Sequence, residues 1–176
     1  MEWRHKNSPP PRKFKVVPSA GKLMATIFWD QDGIIHIDYL PRQTTITGAY
    51  YADLLKCLRQ SIKEKRRGKL GLGVLLQQDN APAHASQVAT VAARDCGFEV
   101  LPHPLHSPDL GPSDYHLSEN LKKNLRGRRF RSDKEFKCAV QVFFEDQEKD
   151  FFFTGINALH TRWQRCIDIQ GDYIEK

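Results

Sequence analysis

The sequence predicts an α/β domain, on three observations. Two short apolar runs open it around a hairpin-type dipeptide, further apolar runs then alternate with segments of helical period, and the last third reads as helix. At 176 residues, 40% apolar and 10% aromatic, the chain is long enough for one real core, and it is not of disordered composition. No apolar run approaches the roughly 20 residues that span a bilayer, so no membrane partner is expected.

The elements follow in order. Residues 22–30 (KLMATIFWD) and 33–40 (GIIHIDYL) flank Gln31-Asp32, and Asp32-Gly33 marks a hairpin turn. From Thr47 to Arg66, Tyr50, Tyr51, Leu54, Leu55, Leu58 and Ile62 recur at helical spacing. Residues 73–78 (GVLLQQ) read as a short buried strand. A helix is predicted over 84–96, ended by Gly97, and a strand over 98–103. A proline-rich loop leads to Ser113, a candidate N-cap for a helix starting at Asp114. Ser132 and Glu135 form a capping box ahead of Phe136, Val140, Phe143 and Phe144, and helix continues to about Cys166.

Charge is unevenly spread around a net +6. Residues 1–22 carry six Lys or Arg against one Glu, together with Pro9, Pro10, Pro11 and Pro18, which suits an extended arm and not a helix. The domain proper is expected over 23–176. Two more basic runs are KEKRRGK (63–69) and KKNLRGRRFR (122–131). The first closes a helix, where cations favour the dipole or are merely solvated. The second follows directly on the Asp114 helix, and Lys122, Lys123, Arg126, Arg128, Arg129 and Arg131 are its candidate DNA contacts. Cys57, Cys96, Cys138 and Cys166 show no metal-type spacing and are read as free, buried thiols. Trp29, Phe130, Phe152 and Trp163 are read as core, and no aromatic strand motif for RNA is present.

Chemistry is expected where strands end. Asp79 follows the apolar run GVLL, and Asp114 sits in the first turn of a helix after the next strand. A helix N-terminus keeps a carboxylate ionised, as a hard cation requires. Asp-Asn is equally a turn former and Asp an ordinary first-turn residue, so spacing alone leaves both readings open. His84 and His116 flank the two acids, either orienting them or serving the structure.

The wording of the sequence goes further. QDNAPAH, FEVLPHPLHSPDLGPSDYHL and GINALHTRWQRCIDIQGDYIE, with FWDQDGIIHIDYLP and TITGAYYADLL upstream, resemble the catalytic domain of mariner-type transposases over essentially the whole chain. The resemblance implies an RNase H-like mixed sheet flanked by helices, and a metal site of three aspartates. In that family thirty-four residues separate the second from the third; Asp79 and Asp114 stand 35 positions apart and match them. Asp109 then belongs to the loop ahead of the third acid. Asp30 matches a position after the second strand, and the family's first strand, with its Asp, would fall upstream of Met1. Gln78, His106 and Ser118 depart from the family's usual His, Tyr and aromatic, the last two near Asp114.

What the resemblance implies is DNA binding with metal-dependent strand cleavage and strand transfer, using Mg²⁺ (or Mn²⁺), in the nucleus. Subunits would pair through the 1–22 arm as a homodimer. With the first strand and its Asp missing, cleavage is expected to be weak or lost. The alternative is a co-opted, non-catalytic DNA-binding or partner-binding module.

Overall fold

A computed structural model of the chain describes residues 23–174, so the 1–22 arm lies outside the described residues. β1 (Ala25–Asp30) and β2 (Gly33–Tyr39) pair antiparallel across Gln31-Asp32. Gly33 takes φ of 124°, which a β-carbon would strain, and this is why the Asp-Gly dipeptide marks the turn. The Asp32 amide donates to Asp30 Oδ1 at 3.0 Å.

One irregularity gives the ribbon two working faces. Phe28 lies opposite His36 but Trp29 opposite Ile34, so Ile35 is an extra residue on β2. A bulge of this kind turns two successive side chains to one side. Ile35 packs with the helix that follows, and His36 Nδ1 lies 3.1 Å from Ser61 Oγ on that helix. Ile34 and Ile37 pack on the other side, with Ile27 and Trp29.

α1 (Gly48–Lys65) begins at Thr47, whose Oγ1 accepts the Tyr50 amide at 3.2 Å, and ends at Arg66. Of the predicted apolar stripe Tyr51, Leu54, Leu55, Leu58 and Ile62 are buried, with Ala52 beside them, while Tyr50 is half-buried. α2 (Lys69–Leu72) is a single turn. β3 (Val74–Leu76), α3 (Gln87–Asp95) and β4 (Phe98–Val100) form a unit in which β3 and β4 run parallel. A 3₁₀ turn (Pro108–Leu110) and a π-helical turn (Ser113–Ser118) lead into α4 (Glu119–Leu125), α5 (Asp133–Glu145) and α6 (Lys149–Asp168). One core gathers α1, α3, Ile35, Leu76 and Phe98; the other gathers Leu117, Val140, Phe143, Phe144 and Phe152. Among the described residues no helix is long and apolar enough to cross a membrane.

The mixed α/β character is as expected: β1–β2 pair antiparallel and β3–β4 parallel, as two two-stranded sheets. Several expectations need correction. β3 is only half buried: Leu76 points inward while Leu75 is 62% exposed. α3 starts at Gln87 and not at His84, because Ser86 Oγ accepts the Ala89 amide and caps it there. Ser113 caps nothing, since its hydroxyl accepts the Trp29 indole N–H at 3.0 Å. The Ser132–Glu135 box is present in altered form, with Glu135 Oε2 accepting the Arg131 amide. All four cysteines are free, but only Cys96 is buried. Phe152 is core and Trp29 and Phe130 are half-buried, whereas Trp163 lies exposed.

Candidate active site

Beyond β3 the chain is held by side chains, since its backbone has left the sheet. Gln77 Nε2 donates to the Leu110 carbonyl at 2.8 Å, and Asn80 Nδ2 to the His103 carbonyl at 2.7 Å. Gln78 Oε1 accepts the Tyr51 hydroxyl at 2.7 Å. The Asp79 segment is thereby tied to α1 on one side and to the loop ahead of Asp114 on the other. Asp79 itself is exposed; its Oδ1 accepts the Ala81 amide at 3.1 Å and lies 2.6 Å from His84 Nδ1. The His84 ring rests on Tyr51, centroids 4.1 Å apart.

Asp114 stands in the first turn of the π-helical segment, its amide donating to the Gly111 carbonyl at 2.8 Å. Gly111 leaves room there: a β-carbon would lie 2.9 Å from Asp114 Oδ2, and the carboxylate would have to shift. Asp114 is exposed, yet the loop packed beside its carboxyl group and then the charge of Asp79 raise its pKa above the ordinary value. Lys122 and His103 oppose that shift. The charge of Asp79 is therefore felt at the Asp114 carboxyl group.

Whether this pair suits a metal is decided by its donor set. Both are hard carboxylate ligands, and the negative charge that Asp79 imposes on Asp114 is what a divalent cation would relieve. The pair fits as two ligands of such an ion. Among the described residues no group of three or more His, Cys, Asp or Glu side chains could hold one.

The remaining candidates separate cleanly. His116 is structural, its Nε2 2.9 Å from the Phe151 carbonyl and its ring between Trp29 and Phe151, with burial holding its pKa below the usual value. Asp30 belongs to an ion-pair cluster with Arg66 (2.9 Å) and Lys69 (2.7 Å), which also reaches Asp32. Two cations of the 63–69 run are thus committed to the hairpin, and Lys65 donates to the Ile35 carbonyl. Asp109 sits in the 3₁₀ turn and accepts the Ile174 amide. Lys122, Lys123, Arg126, Arg128, Arg129 and Arg131 are all exposed. Lys123 pairs with Glu119 at 3.0 Å, and the Arg128 guanidinium lies 5.3 Å from the Phe130 ring centre. Tyr51, Gln77 and Arg162, all in contact with this region, carry no local sequence signal that marks them.

Comparison with known proteins gives the family and the fold. A family profile described as "Transposase (partial DDE domain)" matches residues 1–72. The human histone-lysine N-methyltransferase SETMAR is 36% identical over 175 residues, 99% of this chain and 26% of that protein. The mariner Mos1 transposase of Drosophila mauritiana is 35% identical over 156 residues, 88% of this chain and 45% of its own. Among solved structures, the Mos1 transposase catalytic domain with raltegravir and Mn superposes with a TM-score of 0.84 at 33% identity, covering 87% of this chain and 78% of that one. The Mos1 paired-end complex with left transposon end gives 0.85 at 30% identity, over 99% and 51%. The fold is that of an RNase H-like transposase catalytic domain. The chain belongs to the mariner transposase family. It spans about a quarter of SETMAR and less than half of the Mos1 transposase.

Proposed function

We propose that this chain binds DNA as a mariner-type catalytic domain, with Asp79 and Asp114 as the paired carboxylates for a divalent cation, Mg²⁺ or Mn²⁺, and that as a 176-residue polypeptide it binds DNA better than it cuts it. The observation that supports the reading is that Gln77 and Asn80 tie the Asp79 segment to the loop ahead of Asp114, with an exposed basic run after that acid. The Mos1 structures with Mn and with a transposon end support it for a relative of the same fold.

Each residue has a definable task. Lys122, Lys123, Arg126, Arg128, Arg129 and Arg131 would neutralise successive phosphates, which draws a duplex along α4 and the segment after it. His84 and the Ala81 amide hold Asp79 Oδ1, so its other oxygen is the one left for a ligand. Gly111 lets the Asp114 carboxylate lie against the loop. A bound divalent ion supplies a more acidic water and charge for the oxygens of a phosphodiester under attack.

Weak cutting follows from charge and geometry. Two carboxylates bring two negative charges, half of what two divalent ions carry, and a misplacement of about 1 Å can cost about a hundredfold in rate. Incubating the chain with supercoiled DNA and Mg²⁺ or Mn²⁺ tests this: little or no nicking is expected, and a fused family-type strand bearing an Asp should restore it. Robust nicking by the chain itself, lost on Asp79→Asn or Asp114→Asn, would make it an active nuclease. DNA binding that survives both substitutions while no nicking is ever restored would favour a non-catalytic module. Pairing of two copies through residues 1–22 and a nuclear location belong to the same reading; deletion of 1–22 should lower the sedimentation mass.

A further inference from the structure

We propose that Arg162, on α6, is a positioning residue for Asp114, an assignment that rests on the carboxylate-pair reading of the site. Asp114 stands on irregular backbone, in a π-helical turn that follows a 3₁₀ turn, and π turns are rare and occur mostly as single turns. Something outside the segment has to hold it, and α6 does so. Arg162 Nη1 donates to the Asp109 carbonyl at 3.0 Å, and the same guanidinium lies 4.0 Å from the centre of the Tyr115 ring. One side chain therefore grips the loop before Asp114 and the residue directly after it.

Neighbouring contacts make this a mount and not a chance approach. The Tyr115 hydroxyl donates to the Gly155 carbonyl at 2.8 Å, about two turns before Arg162 on the same face of α6. Gly155 also makes room for His116, whose Cδ2 would lie 2.4 Å from a β-carbon there. Past the end of α6, the Ile174 amide donates to Asp109 Oδ2 at 3.0 Å, and the Tyr173 hydroxyl to the His106 carbonyl at 2.8 Å. A leucine at 162 would fill the same space without bonding the Asp109 carbonyl or holding a cation over the ring. The guanidinium does both because it is planar and carries donors at its rim. Among the described residues its two partners are a carbonyl and a ring face, so no ion pair accounts for its place.

The test uses the 176-residue chain with Mn²⁺ alone as probe, read by water-proton relaxation, together with amide exchange over 109–115 without metal. Arg162→Ala should weaken Mn²⁺ binding about tenfold, at the low end of what lost ligand support costs, and speed exchange in that segment. Arg162→Lys, which keeps a cation for Tyr115, should recover part of both. Leu159→Ala, a core residue of the same helix, should lower Tm without changing Mn²⁺ affinity. If Arg162→Ala leaves affinity and exchange unaltered, or Leu159→Ala weakens Mn²⁺ equally, the assignment is wrong. A wild-type chain that takes up no Mn²⁺ would remove the metal reading, and the metal-free exchange would still judge Arg162. An alanine variant that fails to fold leaves the lysine variant to decide in the same way.

Discussion

His84 Nδ1 lies 2.6 Å from Asp79 Oδ1, so the turn that follows the strand end also fixes the carboxylate standing there. Removing the imidazole frees Asp79 to rotate. His84→Ala should weaken Mn²⁺ binding by about tenfold, the usual scale for losing a partner of a ligand. His84→Asn, which can still donate, should lose less. Calorimetric titration of the two variants distinguishes these outcomes.

Asp114 is under electrostatic load in the metal-free state. Its folded pKa lies above the ordinary carboxylate value. A group raised in this way favours the folded state when protonated, and the advantage is lost as pH rises through the folded pKa. At neutral pH, Asp114→Asn should therefore raise Tm by roughly 1–3 °C. The same change should abolish stabilisation by Mn²⁺. Paired melting curves with and without the ion test both halves.

Asp30 behaves in the opposite sense. Burial opposes its ionisation, but hydrogen bonds from Arg66 and Lys69 outweigh that and bring its pKa below 3.8. Its contribution is present above the unfolded carboxylate pKa and is lost as pH falls through the lower, folded one. Asp30→Asn should cost about 1–3 kcal/mol at pH 7. That cost should shrink on acidification below about pH 4, measured by urea unfolding at several pH values.

Gly155→Ala sets two effects against each other. Alanine gains up to about 1 kcal/mol in a helix interior, but here its β-carbon would meet His116, a ring already bonded to Phe151 and packed between two aromatics. Overpacking costs about 1–3 kcal/mol. Steric cost should win, giving a lower Tm; a rise in Tm would show that the ring can move aside.

DNA affinity should fall steeply with salt, the slope of log affinity against log salt changing by about 0.9 for each phosphate neutralised. Arg129→Ala with Arg131→Ala should flatten that slope by nearly two. Both side chains are exposed and outside either core, so folding should be unchanged. A slope independent of the two arginines would place the duplex elsewhere.

Legibility in the sequence followed the range of the interactions. α1 was readable from Thr47 to Arg66 because its cap and apolar period are local, and α5 likewise from Ser132. The helix after Asp79 was placed three residues early, since Ser86 and not His84 offers the capping oxygen. The two acids came from motif wording, where spacing alone left them ambiguous, and side chains tie the Asp79 segment to the loop ahead of Asp114. Contacts that mount them could not be read, because Gln77 reaches Leu110 across 33 residues and Arg162 reaches Asp109 across 53. Ser113 was misassigned because its hydroxyl is taken by Trp29, 84 residues away.

The bulge at Ile35 makes the β1–β2 ribbon a shared wall. Its Ile35 and Phe28 side belongs to the packing of α1 and α3, and its Ile34 and Ile37 side to that of α4, α5 and α6. An isolated two-stranded hairpin is marginal in water, so the ribbon depends on both neighbours and each neighbour loses a surface if the ribbon peels away. Melting should therefore proceed as one cooperative event, with fluorescence from Trp29 on one side and circular dichroism from α1 on the other reporting the same midpoint.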